Sequence, residues 1–294
     1  ENLGYNNVIF ASHEELDLIS QHDVIQFFKK EKPDIVFIAA AKVGGIVANN
    51  TYRGQFLYEN LMIQNNIIHS AHKYGVEKLL FLGSACIYPK NASQPIKEEY
   101  LLNDILEHTN EPYSIAKIAG IKLCENYYQQ YGDNYISVMP NNLYGPYDNF
   151  DLKTSHVMPA LIRKFHEAKI NNSNCVEIWG SGNPKREFLH VDDLADACVF
   201  LMENLEAKKL YNMDISHINI GSGDELSIKE LAKLIKEIIG FTGDMKFNKK
   251  YPDGMKRKLL DTSRINTLGW KKSIGLKKGI QSNYQWFLDN FIAN

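Results

Sequence analysis

Short apolar runs alternate with longer amphipathic stretches through the first half of the chain. The apolar runs are rich in β-branched residues and predict strands that are buried on both faces. The amphipathic stretches predict helices that cover those faces, so the alternation favours a doubly wound α/β fold with a parallel sheet. The predicted strands are NNVIF (6–10), PDIVFIAAA (33–41), EKLLFLGS (77–84) and YISVMP (135–140), and the predicted helices are HDVIQFFKKEK (22–32), 52–74 and 113–131.

The pattern becomes less regular after about residue 150. Helices are predicted over TSHVMPALIRKFHEA and VDDLADACVFLMENL, and two short strands around a polar turn over CVEIWGSGNPKREFLHV. The segment 217–240 predicts a strand, a glycine loop and a helix, with Ser227 and Glu230 spaced as the capping box of that helix. We therefore expect a large domain from residues 1–150 and about 187–220, and a smaller mixed α/β lobe from 151–186 and 221–294.

The composition is that of an ordinary globular protein and excludes several classes of function. With 294 residues, 44% hydrophobic residues and a net charge of -2, the chain can bury a large core but carries no basic field for nucleic acid or anionic membrane. The cysteines Cys86, Cys124, Cys175 and Cys198 form no CxxC pair and no zinc spacing, so we expect no metal. Scattered thiols fit a reducing cytoplasm, and no apolar stretch reaches the length of a membrane span.

The segment YSIAK carries the strongest local chemical signal. Tyr113 and Lys117 are four positions apart on a predicted helix and therefore lie on one face. An ammonium near a phenol stabilises the phenolate and lowers its pKa, so such a tyrosine exchanges a proton with a carbinol oxygen near neutral pH. The same spacing also fits a packed tyrosine above a solvated lysine.

The segment SACIYP (84–89) follows a predicted buried strand and places Ser84 and Cys86 close together. A cysteine at this point can fill a core, bind a metal or move protons. His156 opens a predicted helix, where a histidine is often a cap or a surface group. The residues alone do not decide between a structural and a chemical role for Cys86 and His156.

Three segments in combination, the GS after a strand, YSIAK, and PNNLYGP (140–146), resemble the extended short-chain dehydrogenase/reductase family. The resemblance is specific to its members that epimerise and reduce a GDP-4-keto sugar, and it runs nearly end to end. It implies a Rossmann-like NADP-binding domain, a GDP-sugar lobe and a homodimer. The segments that carry it are AAAKVGGIVANNTY, LLFLGSACIYPK, EPYSIAKIAGIKLCE, MPNNLYGPYDNF, SHVMPALIRKFHEA, WGSGNPKREFLHVDDLADA and SHINIGSG.

The resemblance implies an activity with two chemical steps. GDP-4-keto-6-deoxy-D-mannose would be epimerised at C3 and C5 and then reduced at C4 by NADPH, giving GDP-L-fucose. Ser84, Tyr113 and Lys117 match the reductase triad, in which the tyrosine protonates O4. Cys86 and His156 match the epimerisation pair. The chemistry is sound because the ketone acidifies the C3 and C5 hydrogens, and the reference pKa values of Cys and His are near 8.5 and 6.5.

The resemblance also implies the binding residues. For the cofactor they are His13, Glu14, Leu16, Asp17, Leu18, Ala40, Leu82, Gly83, Ser84, Ala85, Lys117, Pro140, Asn141, Asn142, Leu143 and His156. The nucleotide-sugar is expected to contact Lys164, Trp179 and Arg186, since Arg suits a diphosphate through bidentate hydrogen bonds. Trp179 fits the core of the smaller lobe as well. The glycines of VGGIVANN (43–50) are expected to shape the floor of the sugar site.

Two departures from the family pattern affect the cofactor site. No GxxGxxG or GxGxxG occurs near the start, so we expect that this sequence lacks the family's first strand and helix. His13 stands where the family often has an arginine for the 2′-phosphate of NADP. No acidic residue sits directly at the end of that strand, although Glu14 follows closely, and we therefore expect NADPH.

Other functions remain as alternatives. The first is a 4-reductase, with or without epimerase activity, that acts on a related GDP-4-keto sugar such as a heptose. The presence of Cys86 and His156 argues against the form without epimerase activity. A 4,6-dehydratase would need an acid and base after Ser84, where the chain has Ala85 and Cys86. A dinucleotide-sensing regulatory protein is the non-enzyme alternative, and it would not need an intact triad.

Overall fold

The computed structural model describes residues 4–152, 154–251 and 253–292. Its first half contains α1 (Gln21–Glu31), β1 (Ile35–Ile38), α2 (Ile46–Thr51), α3 (Arg53–Lys73), β2 (Lys78–Leu82), α4 (Glu111–Tyr131), β3 (Tyr135–Pro140) and β4 (Asn142–Tyr144). Its second half contains α5 (Val157–Ile170), β5 (Cys175–Trp179), β6 (Lys185–His190), α6 (Val191–Asn204), α7 (Ala207–Tyr211), β7 (Ile218–Ile220), β8 (Glu225–Ser227), α8 (Ile228–Ile239), β9 (Asp244–Asn248), β10 (Arg257–Lys258), α9 (Ser263–Leu268) and α10 (Leu276–Phe287).

The main sheet is parallel and has the strand order β1-β2-β3-β7. Its central strand β3 is buried at every position, because helices cover both faces. One core lies among α1, α3 and α4, and a second lies among α6, α7 and α9 on the opposite face. The predicted doubly wound α/β fold is therefore confirmed. The carboxyl ends of the strands share one edge, where such folds bind ligands.

The prediction of a strand over residues 6–10 is wrong. These residues have no strand geometry, and the side chain of Phe10 is 87% exposed. A strand needs a neighbour to satisfy its backbone N–H and C=O groups. In the described part of the chain β1 pairs only with β2, and no strand lies beside residues 6–10 to form a ladder.

Helix α4 packs very closely on β2, which brings its first turns to the end of that strand. A Cβ atom added at Gly120 would lie 2.4 Å from Cζ of Phe81, so a larger residue would push the helix away. The helix ends at Gly132, whose left-handed conformation (φ 79°) suits glycine. The motif YSIAK is thereby held against the end of β2.

The second part of the chain forms two small sheets and a third core. Strands β10, β6 and β4 pair in that order with β8 on β6, while β5 pairs with β9. The two strands predicted over 175–191 thus form, but in different sheets. Helices α5, α8 and α10 enclose the core. The predicted capping box of α8 is confirmed in both directions, between Ser227 and Glu230. No helix in the described ranges combines the length and apolar character needed to cross a bilayer.

Candidate active site

A short turn at the carboxyl end of β2 carries the serine and the cysteine singled out above. Gly83 lets this strand end approach β3, since an added Cβ would lie 2.3 Å from Cε of Met139. Ser84 then begins a single 3₁₀ turn over residues 85–87. The Cys86 thiol donates to Ser84 Oγ at 3.2 Å, so both side chains face one site. Ser114 Oγ, from α4, donates to the carbonyl oxygen of Cys86 at 2.9 Å.

Tyr113 and Lys117 reach the same site from the first turns of α4. Lys117 is only 3% exposed, and its ammonium donates to the carbonyl oxygen of Leu82 at 2.8 Å. The ammonium also lies 5.8 Å from the centroid of the Tyr113 ring and 4.7 Å from that of Phe81. The phenol and the ammonium therefore share one face of the helix, as their spacing predicts.

The electrostatics of this pair differ from the expectation drawn from the sequence. Burial raises the pKa of Tyr113, charge on Cys86 raises it further, and a hydrogen bond with Ser84 opposes this rise. Burial lowers the pKa of Lys117 to about 8, and the effect is opposed by charge on Cys86. The expectation that the pKa of Tyr113 is lowered is wrong for this structure, because burial raises it. Tyr113 is thus a protonated phenol at rest.

His156 is positioned by a different element, α5. It precedes α5 as the N-cap residue, its ring is exposed, and it caps no backbone N–H. Burial raises the pKa of the Asp148 carboxyl group, and charge on His156 opposes the rise. Among the described residues His156 makes no hydrogen bond to Ser84, Cys86 or Tyr113. Its role as the partner of Cys86 stays a prediction.

The predicted cofactor residues before β1 form an exposed turn beside α3. Ser12 O accepts from the backbone of residues 15 and 16, and Asp17 Oδ1 accepts from Ile19 N at 2.9 Å. Asn66 in α3 donates to the carbonyl oxygen of Leu18 at 2.9 Å and so anchors the turn. The side chains of His13 and Glu14 face solvent. Their contacts with a cofactor stay a prediction.

The predicted cofactor residues after β1, β2 and β3 lie at the carboxyl edge of the sheet. Ala40 follows β1, while Leu82, Gly83 and Ala85 surround the end of β2. Pro140 ends β3. The side-chain amide of Asn141 donates to a carboxylate oxygen of Glu187 at 2.5 Å, and that of Asn142 donates to the backbone carbonyl oxygen of Glu187 at 2.9 Å. Leu143 packs on the second core. The structure thus gathers these residues at one edge.

The three predicted substrate residues lie in the second part of the chain. Trp179 is 47% exposed, which argues against the alternative of a core residue. Lys164 holds its ammonium 4.7 Å from the centroid of the indole ring, and Tyr251 stacks on that ring at 4.2 Å. Arg186 donates to the carbonyl oxygen of Met255 at 2.6 Å, and burial lowers its pKa.

Sequence reasoning missed three neighbours of the predicted residues. Tyr251 shares the aromatic stack with Trp179, and Asp148 lies within electrostatic range of His156. Lys258 lies beside the predicted cofactor residue Asn141, whose Nδ2 donates to the carbonyl oxygen of Lys258 at 3.3 Å, and burial lowers its pKa. No motif marks these residues, and only the pairing of β10 with β6 brings Lys258 there.

The donor set at the sheet edge fits a dinucleotide. The Lys117 ammonium uses one hydrogen on Leu82 and keeps others for ribose hydroxyls. In the described residues no group of three His, Cys, Asp or Glu side chains is arranged to hold a metal.

This fold and site define a class of nucleotide-dependent enzymes, and comparison with known proteins agrees. Residues 2–221 match the NAD dependent epimerase/dehydratase family, and the chain belongs to that family.

Its similarity to particular members is high. It is 54% identical to the GDP-L-fucose synthase of Escherichia coli strain K12, over 99% of this chain and 91% of that protein. It is 55% identical to GDP-L-fucose synthase 1 of Arabidopsis thaliana, over 98% of this chain and 87% of that protein. A GDP-mannoheptose C4 reductase from Campylobacter jejuni, solved with NADP bound, matches with a TM-score of 0.89 and 45% identity, over 98% of this chain and 91% of that one.

Proposed function

We propose that this protein converts GDP-4-keto-6-deoxy-D-mannose to GDP-L-fucose by epimerisation at C3 and C5 and NADPH-dependent reduction at C4. The observation that carries the proposal is the single site that holds both kinds of chemistry. The Cys86 thiol lies 3.2 Å from Ser84 Oγ, beside Tyr113 and Lys117. The identity of more than half to two GDP-L-fucose synthases supports the same reaction.

Epimerisation needs a base, an acid and a site for the developing enolate oxygen. Cys86, as a thiolate, removes a proton from C3 or C5 and leaves an enolate whose charge resides on O4. Ser84 and Tyr113 donate hydrogen bonds to that oxygen. His156 returns a proton to the opposite face of the same carbon. Both groups exchange protons with water between turnovers, so solvent hydrogen enters the product.

Reduction uses the same contacts on O4. NADPH, when bound, supplies a hydride to C4. Tyr113 gives its proton to O4, and its raised pKa suits this role because the phenol is protonated at rest. Lys117 holds ribose hydroxyls with its free N–H groups and offers positive charge to the phenolate that is left.

The second part of the chain supplies the nucleotide grip in this proposal. Arg186 is held by the carbonyl oxygen of Met255 and is suited to a diphosphate. Trp179 and Tyr251 offer an aromatic surface to the base, with Lys164 as a further cation. Residues 1–150 with 187–220 would bind the cofactor, and 151–186 with 221–294 the GDP-sugar.

The test is an isotope experiment with the full-length protein. GDP-4-keto-6-deoxy-D-mannose and NADPH are incubated in deuterated water, with NADH in parallel, and NADPH oxidation and deuterium at C3 and C5 are followed. We expect oxidation of NADPH with deuterium at both carbons. Cys86→Ser should lose most of the epimerised product. Absence of any turnover would contradict the proposal.

A 4-reductase without epimerase activity is the second candidate. The likeness to the Campylobacter jejuni GDP-mannoheptose C4 reductase favours it, because that protein shares 45% identity with this chain. It predicts NADPH oxidation without deuterium at C3 or C5. It also predicts that Cys86→Ser keeps full activity.

We further propose a homodimer in the cytoplasm. Family resemblance suggests the dimer, and Tyr58 on α3 and Ile115 on α4 are exposed apolar residues that fit an interface. Four free thiols fit a reducing compartment. A mass near 67 kDa in light scattering, twice 33.6 kDa, would support the dimer, and Tyr58→Arg should then give monomers.

A further inference from the structure

A buried hydrogen-bonded cluster lies behind the Cys86 turn and contains none of the residues assigned to chemistry above. Tyr88 directly follows the 3₁₀ turn and is 2% exposed. Its hydroxyl lies 2.6 Å from Nε2 of His217 and also bonds Oδ1 of Asn219. His217 and Asn219 are fully buried at the start of β7. The cluster therefore ties the turn after β2 to another strand of the main sheet.

The donors and acceptors in this cluster allow only one arrangement. Asn219 Nδ2 donates to the carbonyl oxygens of Ile96 (3.0 Å) and Asp261 (3.2 Å), so its Oδ1 is the acceptor. The single hydrogen of the Tyr88 hydroxyl goes to that Oδ1. Nε2 of His217 must then be the donor to Tyr88.

The other ring nitrogen completes the arrangement. Nδ1 of His217 accepts from the hydroxyl of Ser216 at 3.1 Å. Burial lowers the pKa of His217 to about 3, so the ring is neutral across the working range and keeps this tautomer. Every polar atom of the Tyr88 and His217 side chains has a partner, and this fixes their orientation.

We infer that Tyr88 and His217 are positioning residues that hold the Cys86 turn for proton transfer, an inference that rests on the proposed function. Cys86 has supports on two sides, the Ser114 hydroxyl on its carbonyl oxygen and Tyr88 at the end of the turn. The backbone just before Ser84 has a separate support, since Gly83 N donates to Val138 O at 2.8 Å in the sheet ladder. Loss of the Tyr88 contacts therefore displaces the thiol more than it displaces Ser84.

The unequal support predicts an unequal effect on the two reactions. Proton abstraction needs the sulfur close to C3 and C5, and small displacements of a reacting group are costly. Reduction depends on Tyr113 and Lys117, which α4 holds independently of Tyr88, and on Ser84, whose backbone directly follows the anchored Gly83. In a variant of the cluster, a larger fraction of the product should therefore be reduced at C4 without epimerisation at C3 and C5.

The experiment measures deuterium at C3 and C5 per NADPH oxidised, with the full-length protein and GDP-4-keto-6-deoxy-D-mannose. Because this quantity is a ratio, it does not depend on the fraction of the enzyme that is folded. The variants are Tyr88→Phe, His217→Phe and His217→Gln, the last of which keeps a donor near the position of Nε2. The matched control is Tyr135→Phe, because Tyr135 is equally buried and its hydroxyl has no hydrogen-bond partner in the described part of the chain.

We expect Tyr88→Phe and His217→Phe to lower the ratio about tenfold, an order-of-magnitude cost for a misplaced group. His217→Gln should restore most of the ratio, and Tyr135→Phe should leave it unchanged. An unchanged ratio in Tyr88→Phe, with or without lower total activity, would reduce the cluster to a role in folding and overturn the inference. Absence of deuterium with the unaltered protein would instead refute the proposed epimerisation, and the inference with it.

Discussion

The two sides of the proposed site are built in different ways. On the side of β2 and α4 the functional groups are buried and bonded to the main chain, as the contact of Lys117 with Leu82 shows. On the side of the second part of the chain, His156 is exposed and Trp179 and Tyr251 are 47% and 40% exposed. Groups of the first kind are ordered before any ligand binds, whereas those of the second kind have surface left for a ligand to cover.

This difference has an energetic reason. A buried ammonium or phenol loses hydration when the chain folds, and that cost is tolerated where fixed dipoles and charges serve a reaction. Aromatic rings that grip a nucleotide must instead remain accessible, because burial of their surface is what stabilises the complex. We therefore expect substitutions on the first side to change rates and pH profiles, and those on the second side to change KM.

The largest effect is expected for Tyr113→Phe, which removes the proposed proton donor for O4. Reduction should fall about 1,000-fold, within the range usual for a positioned acid. Deuterium exchange at C3 and C5, followed by NMR of the keto sugar, should fall less than reduction, because Cys86, His156 and the Ser84 hydrogen bond to O4 remain. Tyr131→Phe, at the exposed end of the same helix, is the control. If Tyr113→Phe lost exchange and reduction equally, reduction could not be assigned to Tyr113 and exchange to Cys86 and His156.

A second prediction tests whether the buried side carries an energetic cost. The pKa of Lys117 is lowered to about 8 in the folded protein from 10.5. Between these values the unfolded chain binds more protons than the folded one, so stability rises with pH. Between pH 7 and pH 9.5 the free energy of unfolding of the unaltered protein should rise by about 2 kcal/mol more than that of Lys117→Met, at ~1.4 kcal/mol per pH unit.

The measurement for this second prediction is urea unfolding of both proteins across that pH range. Taking the difference between them cancels the titration of all other groups. Lys73→Met, on the exposed surface of α3, is the matched control and should show no such trend. A flat difference for Lys117→Met would mean that the ammonium stays hydrated, and the contrast between the two sides would lose its basis.

On the exposed side, Tyr251→Ala should weaken the grip on the nucleotide. Loss of the ring that stacks on Trp179 is expected to raise KM for the GDP-sugar about tenfold and to leave kcat unchanged. A tenfold change corresponds to the binding free energy of an aromatic pair and the surface it buries. Tyr251→Phe keeps the ring and should keep KM. Steady-state kinetics at saturating NADPH provide both constants. A fall in kcat with constant KM would place Tyr251 among groups that act in the reaction itself.

The sequence predicted the buried side better than the exposed one, for physical reasons. The spacing of Tyr113 and Lys117 and the strand that ends at Ser84 are local patterns, and local geometry fixes where such residues point. Tyr251 and Lys258 reach the site only through the pairing of β10 with β6 and the packing of a loop. No local pattern reports contacts of that kind.

Two expectations failed because the environment outweighed a local rule. The apolar run 6–10 has strand composition, but a strand needs a neighbour, and the described sheet offers none there. The spacing of Tyr113 and Lys117 suggested a lowered phenol pKa, but burial raises it. His217, in contrast, lies in the segment SHINIGSG, but no local pattern gave it a role, because its role depends on Tyr88, which is distant along the chain.

The smallest effect is expected for Ser227→Ala, which tests whether the scaffold of the second part is separable from the chemistry. Ser227 Oγ accepts from Glu230 N at 3.2 Å, and Glu230 returns the contact to Ser227 N at 2.7 Å. Removing the cap should lower the free energy of unfolding by about 1 kcal/mol, while Ser227→Asp should retain most of it. The pairing of Ser227 with Lys185 in β6 is made by the backbone and survives the substitution, and the Ser227 hydroxyl itself bonds Glu230. Both KM and the deuterium ratio should therefore stay unchanged. A changed deuterium ratio would mean that the two sides of the site are structurally coupled. The geometry of the buried side would then depend partly on the packing of the exposed side.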